Sequence, residues 1–147
     1  MKPRECWPVL AKKAEEGVEA AQELLVLARK KLDQLQVSRD KIIEMMHEYK
    51  LKSSEIQSRL HCMTETTNYR HFINQLQVLL QQANFQVGHA QAEVNNAKND
   101  LLEAQLKKMK MQALVEQDLK AVENFTRRLE QKQMDALGVT LYNLKTD

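Results

Sequence analysis

Four histidines and two cysteines are the residues of this chain with the chemistry to ligate a metal or attack a substrate. His47 and His89 stand apart from the rest, on columns that point outward in the helical pattern described below. His61, Cys62 and His71 stand closer together, yet their spacing matches no zinc-binding pattern. They read as solvated side chains, and no metal is expected. A glycine-rich phosphate loop, a paired-histidine zinc helix and a nucleophile elbow are all missing. Two long helices also offer no cleft in which to exclude water or perturb a pKa. Neither catalysis nor a cofactor is expected.

Binding chemistry is better represented. If the chain folds back on itself, Arg29-Lys30-Lys31 falls across from Lys107-Lys108-Lys110, and Lys12-Lys13 near Arg127-Arg128. Two such basic collars would suit an acidic ring or lipid headgroups. Glu15, Glu16, Glu19, Glu23 and Glu123 balance them, so a plainly solvated surface fits equally well. A net charge of +2, with no aromatics interleaved among the basic residues, argues against nucleic acid. The apolar surplus says more. Leu10, Leu24, Met45, Phe72, Leu79 and Leu114 share one column beside the apolar seam, and Ile43 and Leu51 add to the surface. Met45, Tyr49, Phe72, Leu76 and Leu79 converge on one end, which predicts a partner-docking site there.

The elements that must position these residues follow from composition. Gly occurs three times and Pro twice, with both prolines before residue 9, and aromatics make up only 5%. This is the profile of long helices, and no segment alternates as a strand does. No apolar run approaches the roughly 18 residues of a membrane span. The basic start of Met1–Leu10 lacks the apolar core of a signal peptide, so none is expected. Cys6 and Cys62 would lie at opposite ends of a hairpin, too far apart for a bridge, which suits a cytoplasmic protein with reduced thiols.

A seven-residue register runs from Ala11. Its a positions are Ala11, Val18, Leu25, Leu32, Arg39, Met46, Ser53 and Leu60; its d positions are Ala14, Ala21, Ala28, Leu35, Ile42, Tyr49, Ile56 and Met63. Arg39 and Ser53 interrupt it, and Arg39, facing alanine, can lay its stem over the seam and lift its guanidinium to water. A second register places Tyr69, Leu76, Ala83, Ala90, Ala97, Ala104, Met111, Asp118 and Phe125 at d. Ile73, Leu80, Val87, Val94, Leu101, Lys108, Val115, Val122 and Leu129 occupy a. Alanine columns in both halves let two backbones approach closely. The expected fold is all-α, a long two-helix antiparallel coiled-coil hairpin. Its expected parts are a lead-in over 1–8, a first helix over 9–63 and a turn over 64–68, where Thr67 or Asn68 would cap the next helix. A second helix follows over 69–137, ended by Gly138 as a C′ residue, with a flexible tail over 138–147. Facing residue numbers should sum to about 130–136, placing Leu35 near Val94 or Leu101 and Leu25 near Ala104 or Met111. The second helix should overhang the first beyond about Asn124.

Asn68-Tyr69-Arg70-His71-Phe72-Ile73-Asn74-Gln75-Leu76 resembles the NYxxFIxxL segment of the FliJ family of flagellar type III export proteins. Glu130-Gln131-Lys132-Gln133-Met134-Asp135 resembles that family's (D/E)QKxMD ending, and His47-Glu48-Tyr49 its NEYR-type stretch, with Lys50 in place of Arg. The resemblance covers essentially the whole chain. It implies a non-enzymatic component of flagellum biogenesis and chemotaxis machinery, a coiled coil similar to the stalk of rotary ATP synthases. It further implies insertion in a hexameric export ATPase (FliI-like), contact with the cytoplasmic domain of the export gate (FlhA-like), and association with export chaperones. The expected place is the cytoplasm, peripheral to the inner face of the membrane. Phe72 and Leu76 match the family's gate-binding face, with Tyr49 and Ile42 on the facing helix and Leu79 at its edge. The ATPase-facing part would be roughly 10–35 and 105–137, with Lys12, Lys13, Lys30, Lys31, Lys107, Lys110, Arg127 and Arg128. The stalk of an injectisome, or a structural or membrane-surface coiled coil, is the alternative.

Overall fold

A computed structural model describes the backbone of residues 2–58 and 63–146 and the side chains of 2–55 and 65–146. Two α-helices make up almost all of it: α1, Cys6–Ser58, and α2, Met63–Thr146. They pack against each other as an all-α antiparallel hairpin, with no strand among the described residues. Packing divides into two compact units, residues 1–20 with 102–147 (unit 1) and residues 21–101 (unit 2).

The heptad seam is where the structure buries side chains. Each a and d position from Ala11 to Ser53 on α1, and from Tyr69 to Val122 on α2, is buried or half-buried. In unit 2 the core is Leu25, Leu32, Val87, Ala90 and Val94, flanked by Ala28, Leu35, Ala97 and Leu101. Ala90 is 1% exposed and Val94 2%. The methyl side chain of Ala90 lets the helices close in until leucines of α1 fill the space beside it. Burying each such leucine contributes on the order of 2 kcal/mol before the entropy of ordering is subtracted. In unit 1 the same seam buries Ala14 and Val18.

Four expectations about the ends give way to the structure. The segment over 64–68, expected as a turn, lies within α2, which begins at Met63. Thr and Asn are weak helix formers by only a few tenths of a kcal/mol each. Thr66 falls on the next a position and is half-buried, so seam packing outweighs that propensity. Glu65 in the first turn complements the helix dipole.

The pairing register shifts with the helix start. Lys31 faces Glu93 and Tyr49 faces Phe72, pairs centred on residues 60 to 62 rather than 65 to 68. Leu35 lines a groove with Ala90 and packs against the cluster that contains Val94. Leu25 lies within the same Val87–Val94 cluster.

The lead-in is shorter and tied down. α1 starts at Cys6, Trp7 is half-buried, and the Arg4 backbone N–H donates to Asp118 Oδ2 at 2.7 Å. Asp118, a polar break in the second register, is thereby an acceptor for the chain entering α1. Pro8 sits in the first turn, where a missing N–H costs no helical bond.

Gly138 does not end α2. It has no positive φ, nothing lies within 4 Å of a Cβ placed on it, and the helix continues to Thr146. The Thr140 and Thr146 hydroxyls donate back to Ala136 O at 2.9 Å and Asn143 O at 3.0 Å, as threonines do inside a helix.

Two substitutions check this arrangement. Leu32→Ala is expected to lower stability to urea by about 2–4 kcal/mol, while Leu27→Ala, at a position 62% exposed, changes it by less than about 0.5 kcal/mol. Gly138→Ala should increase helicity and slow amide exchange over 132–146, by about 0.5–1 kcal/mol of local stability; a C′ glycine would respond in the opposite direction.

Candidate functional site

Of the residues assigned to gate binding, the structure brings Tyr49, Phe72 and Leu76 together at one end of unit 2 and divides them by accessibility. Phe72 was expected on the flank, unneeded by the hairpin. It is half-buried, with its ring 4.6 Å from that of Tyr49 at 55°. Tyr49 in turn stands 6.1 Å from Tyr69, and Lys52 Nζ lies 5.5 Å from its ring centroid. An aromatic pair of this kind adds about 0.5–1.5 kcal/mol beyond its buried area. Phe72 therefore belongs to the packing of the hairpin as well as to its surface. Leu76 is 3% exposed and is a seam residue proper; Ile42 is half-buried in the same seam. Leu79, by contrast, is 49% exposed.

The column carrying Phe72 and Leu79 continues to Glu93, and its counterpart on α1 runs Lys31, Ser38, Met45, Lys52. Lys31 Nζ meets Glu93 Oε2 at 3.4 Å, so these columns face each other along one side of the hairpin. Met45 and Leu79 are the exposed apolar residues on that side near the aromatic cluster. The opposite flank of α2 is Gln77, Asn84 and Gln91, all exposed amides. Sequence reasoning missed Phe85 on the Leu79 side. It is 75% exposed and walls an open groove of about 410 Å³ with Lys31, Leu35, Gln86, His89 and Ala90. Its signal was available, a phenylalanine outside both the seam and the column beside it in a chain with three.

The basic residues do not form the expected collars. Lys31 is matched with Glu93 rather than with lysines, and Glu93 also receives His89 Nδ1 at 3.3 Å. Lys12 lines a groove with Glu15, Gln112, Val115 and Glu116, while Arg127 pairs with Glu123 of its own helix at 3.3 Å. The heptad shift in register is the cause. Lys13, Lys30, Lys107, Lys110 and Arg128 are exposed on their helices. Surface ion pairs of this type contribute less than about 1 kcal/mol, so these charges are available to a partner. Arg39 keeps its seam position with the Nε buried and without a hydrogen bond; Asp40 Oδ1 lies 3.5 Å away but is not aligned to accept one. His61 and Cys62 lie outside the described residues, and Cys6 is a free, exposed thiol.

The third surface is the far end of α2. Every residue from Glu123 to Thr146 is exposed, an overhang of about 36 Å at 1.5 Å per residue. Phe125 and Leu129 continue the seam column there and stand 43% exposed. Met134, Leu137, Leu141 and Leu144 form a second stripe at spacings of three and four, each at least 59% exposed. At 100° per residue that stripe lies about 120° around the helix from Phe125 and Leu129. The overhang thus carries apolar side chains on two separate faces.

Burial sets the expected response to substitution at the aromatic end. Leu76→Ala should cost about 2–4 kcal/mol of stability and Phe72→Ala about 1–3 kcal/mol. Leu79→Ala should change it by less than about 0.5 kcal/mol. Thermal unfolding followed by circular dichroism orders the three; equal effects at 76 and 79 would contradict the burial assigned here.

No helix among the described residues is long and apolar enough to cross a membrane. Neither a curated protein nor a solved structure matches the chain. The family model described as Flagellar FliJ protein, however, matches residues 9–146, which takes in the seam, the aromatic end and the overhang, and the chain belongs to the FliJ family.

Proposed function

We propose that this flagellar export-related coiled coil is a non-enzymatic stalk. Its α2 overhang enters the hexameric export ATPase and promotes assembly of the hexamer, and its Phe72–Leu79 end docks on the cytoplasmic domain of the export gate. An escort role toward export chaperones belongs to the same reading. Such work takes place in the cytoplasm at the inner face of the membrane. Membership of the FliJ family supports the export context.

The observation that carries the ATPase half is the two-faced overhang. A helix of this length with Phe125 and Leu129 on one side and Met134, Leu137, Leu141 and Leu144 on the other is poorly suited to solvent. A single flat partner would cover one stripe and leave the other wet. A helix apolar on two separate faces is satisfied when it is surrounded, and the lumen of a ring surrounds it. The exposed Arg127 and Arg128, on the same segment, add positive charge suited to acidic ring loops.

Purified ATPase provides the test. Adding the chain should raise the hexamer fraction under assembling conditions, and Leu137→Asp with Leu141→Asp should abolish that rise while leaving the helical content unchanged. A double variant that still drives assembly as wild type does rules out the overhang as the inserted element. For the gate half, Leu79→Asp should lower capture of the gate domain by about tenfold or more, the loss on the order of 1.4 kcal/mol expected when a charge replaces an apolar contact.

A further inference from the structure

Four of the five residues assigned to the gate-docking face, all but Leu79, are buried or half-buried in the hairpin itself. Leu76 is 3% exposed, and Phe72 rests on the Tyr49 ring at 4.6 Å. A partner cannot close on Leu76 while α1 covers it. Either these side chains take no part in docking, or the end of the hairpin opens.

Packing at that end favours opening. The aliphatic core of unit 2 is confined to Leu25 and Leu32 on α1 and Val87, Ala90 and Val94 on α2. Beyond it stands Arg39, a seam cation whose buried Nε makes no hydrogen bond. Past Arg39 the buried apolar seam side chains among the described residues are Met46 and Leu76, together with the buried hydroxyl residue Ser53. Ile42, Ile73 and Leu80 are half-buried there, as is the Tyr49–Tyr69–Phe72 cluster with Lys52 beside it. Among the described residues, two polar seam positions thus interrupt a stretch whose apolar seam residues are mostly half-buried, next to one where five are buried. Segments with few buried apolar contacts open at lower free energy than the core they adjoin.

We infer that residues 40–55 and 66–82 separate as a unit while the Leu25–Val94 core stays closed, and that closure of this end competes with docking of the partner. Phe72 and Leu76 then have two sets of contacts, one with Tyr49 and the α1 seam and one with the partner. Tyr49 acts in the closed form as a positioning residue that holds Phe72 out of reach. The inference rests on reading Phe72, Leu76 and Leu79 as the docking face of the export gate.

A reversible lock tests it. In a chain with Cys6→Ser and Cys62→Ser, Ser53→Cys with Tyr69→Cys places thiols at facing seam positions of the mobile end. Leu25→Cys with Ala97→Cys does the same within the core. Binding of the purified gate domain is then measured for each, oxidised and reduced. The end lock should weaken binding by about tenfold or more when oxidised and restore it on reduction, whereas the core lock should have no effect. Equal binding by the oxidised and reduced end-locked chain overturns the competition. If wild type does not bind the gate domain, or Leu79→Asp and Phe72→Ala both bind as wild type does, the docking assignment itself falls and this inference with it. Native-state hydrogen exchange on the unmodified chain supplies a reading that needs no disulfide. Amides of 42–55 and 66–80 should exchange through an opening that leaves 25–35 and 87–101 protected, and a single cooperative opening of both stretches rejects the proposal.

Discussion

Two helices that have only each other to lean on can bury one stripe apiece, and this limit governs the molecule. Among the described residues everything buried lies on columns a and d, and even there Leu25 and Leu32 keep 6–8% of their surface in contact with solvent. With two helices as the packing elements, a described side chain beside the seam is at best half-buried. The alanine columns are the response to this thinness. At Ala90 the helices come close enough for α1 leucines to be covered from one side by a backbone, which substitutes for the second layer a globular domain would supply. The grooves described along the hairpin are open to solvent.

The parts of this fold that depend on that stripe were legible in the sequence, because a seven-residue period is a direct record of which side chains meet a partner helix. Every a and d position of the two registers read from Ala11 and Tyr69 is buried or half-buried between Ala11 and Ser53 and between Tyr69 and Val122. Where the chain reverses was read from local propensity instead, and there the reading failed. Thr64 to Asn68 look like a turn because Thr and Asn prefer one in isolation, yet Thr66 continues the seam, and tertiary burial outweighs a preference of a few tenths of a kcal/mol. One misplaced reversal then moved every cross-helix pair by about a heptad. The basic collars, which depended on that register, dissolved with it. Gly138 was misread for a related reason. A lone glycine is as compatible with an exposed helix as with its end, and only the lack of any breaker among the eight residues after it favours continuation.

The aromatic end illustrates a conflict that periodicity alone cannot reveal. Phe72 sits one position before the seam, where the heptad says only that it is marginal. Its ring turns inward because Tyr49, a wide seam residue, reaches out to meet it. Leu76 is the reverse case: its resemblance to a family motif points outward to a partner while its a/d position points inward to α1. Docking of Leu76 as proposed requires the interface between the helices to give way at that place. The seam there is interrupted at Arg39 and Ser53, which favours such an exchange of contacts. A continuous aliphatic seam would have made the hairpin more stable and the motif unreachable.

The overhang follows a different logic from the rest of α2. Up to Val122 its seam residues are buried or half-buried against α1, and Phe125 and Leu129 extend that column for two turns beyond the start of α1. The interval from Leu129 to Met134 is five residues, where a continuing seam needs three or four. That single step carries the next stripe to a separate face of the helix. Had the stripe resumed in phase, the end of α2 would read as a longer coiled coil waiting for one more helix. With Met134, Leu137, Leu141 and Leu144 out of phase and Val139 still on the seam column, it presents apolar groups on more than one face, which no single flanking helix can cover. The change of phase thus marks the point at which the helix stops serving the hairpin. Isolated helical segments are marginal in water, and threonines at 126, 140 and 146 add only local hydrogen bonds, so this segment is expected to fray unless a partner covers it.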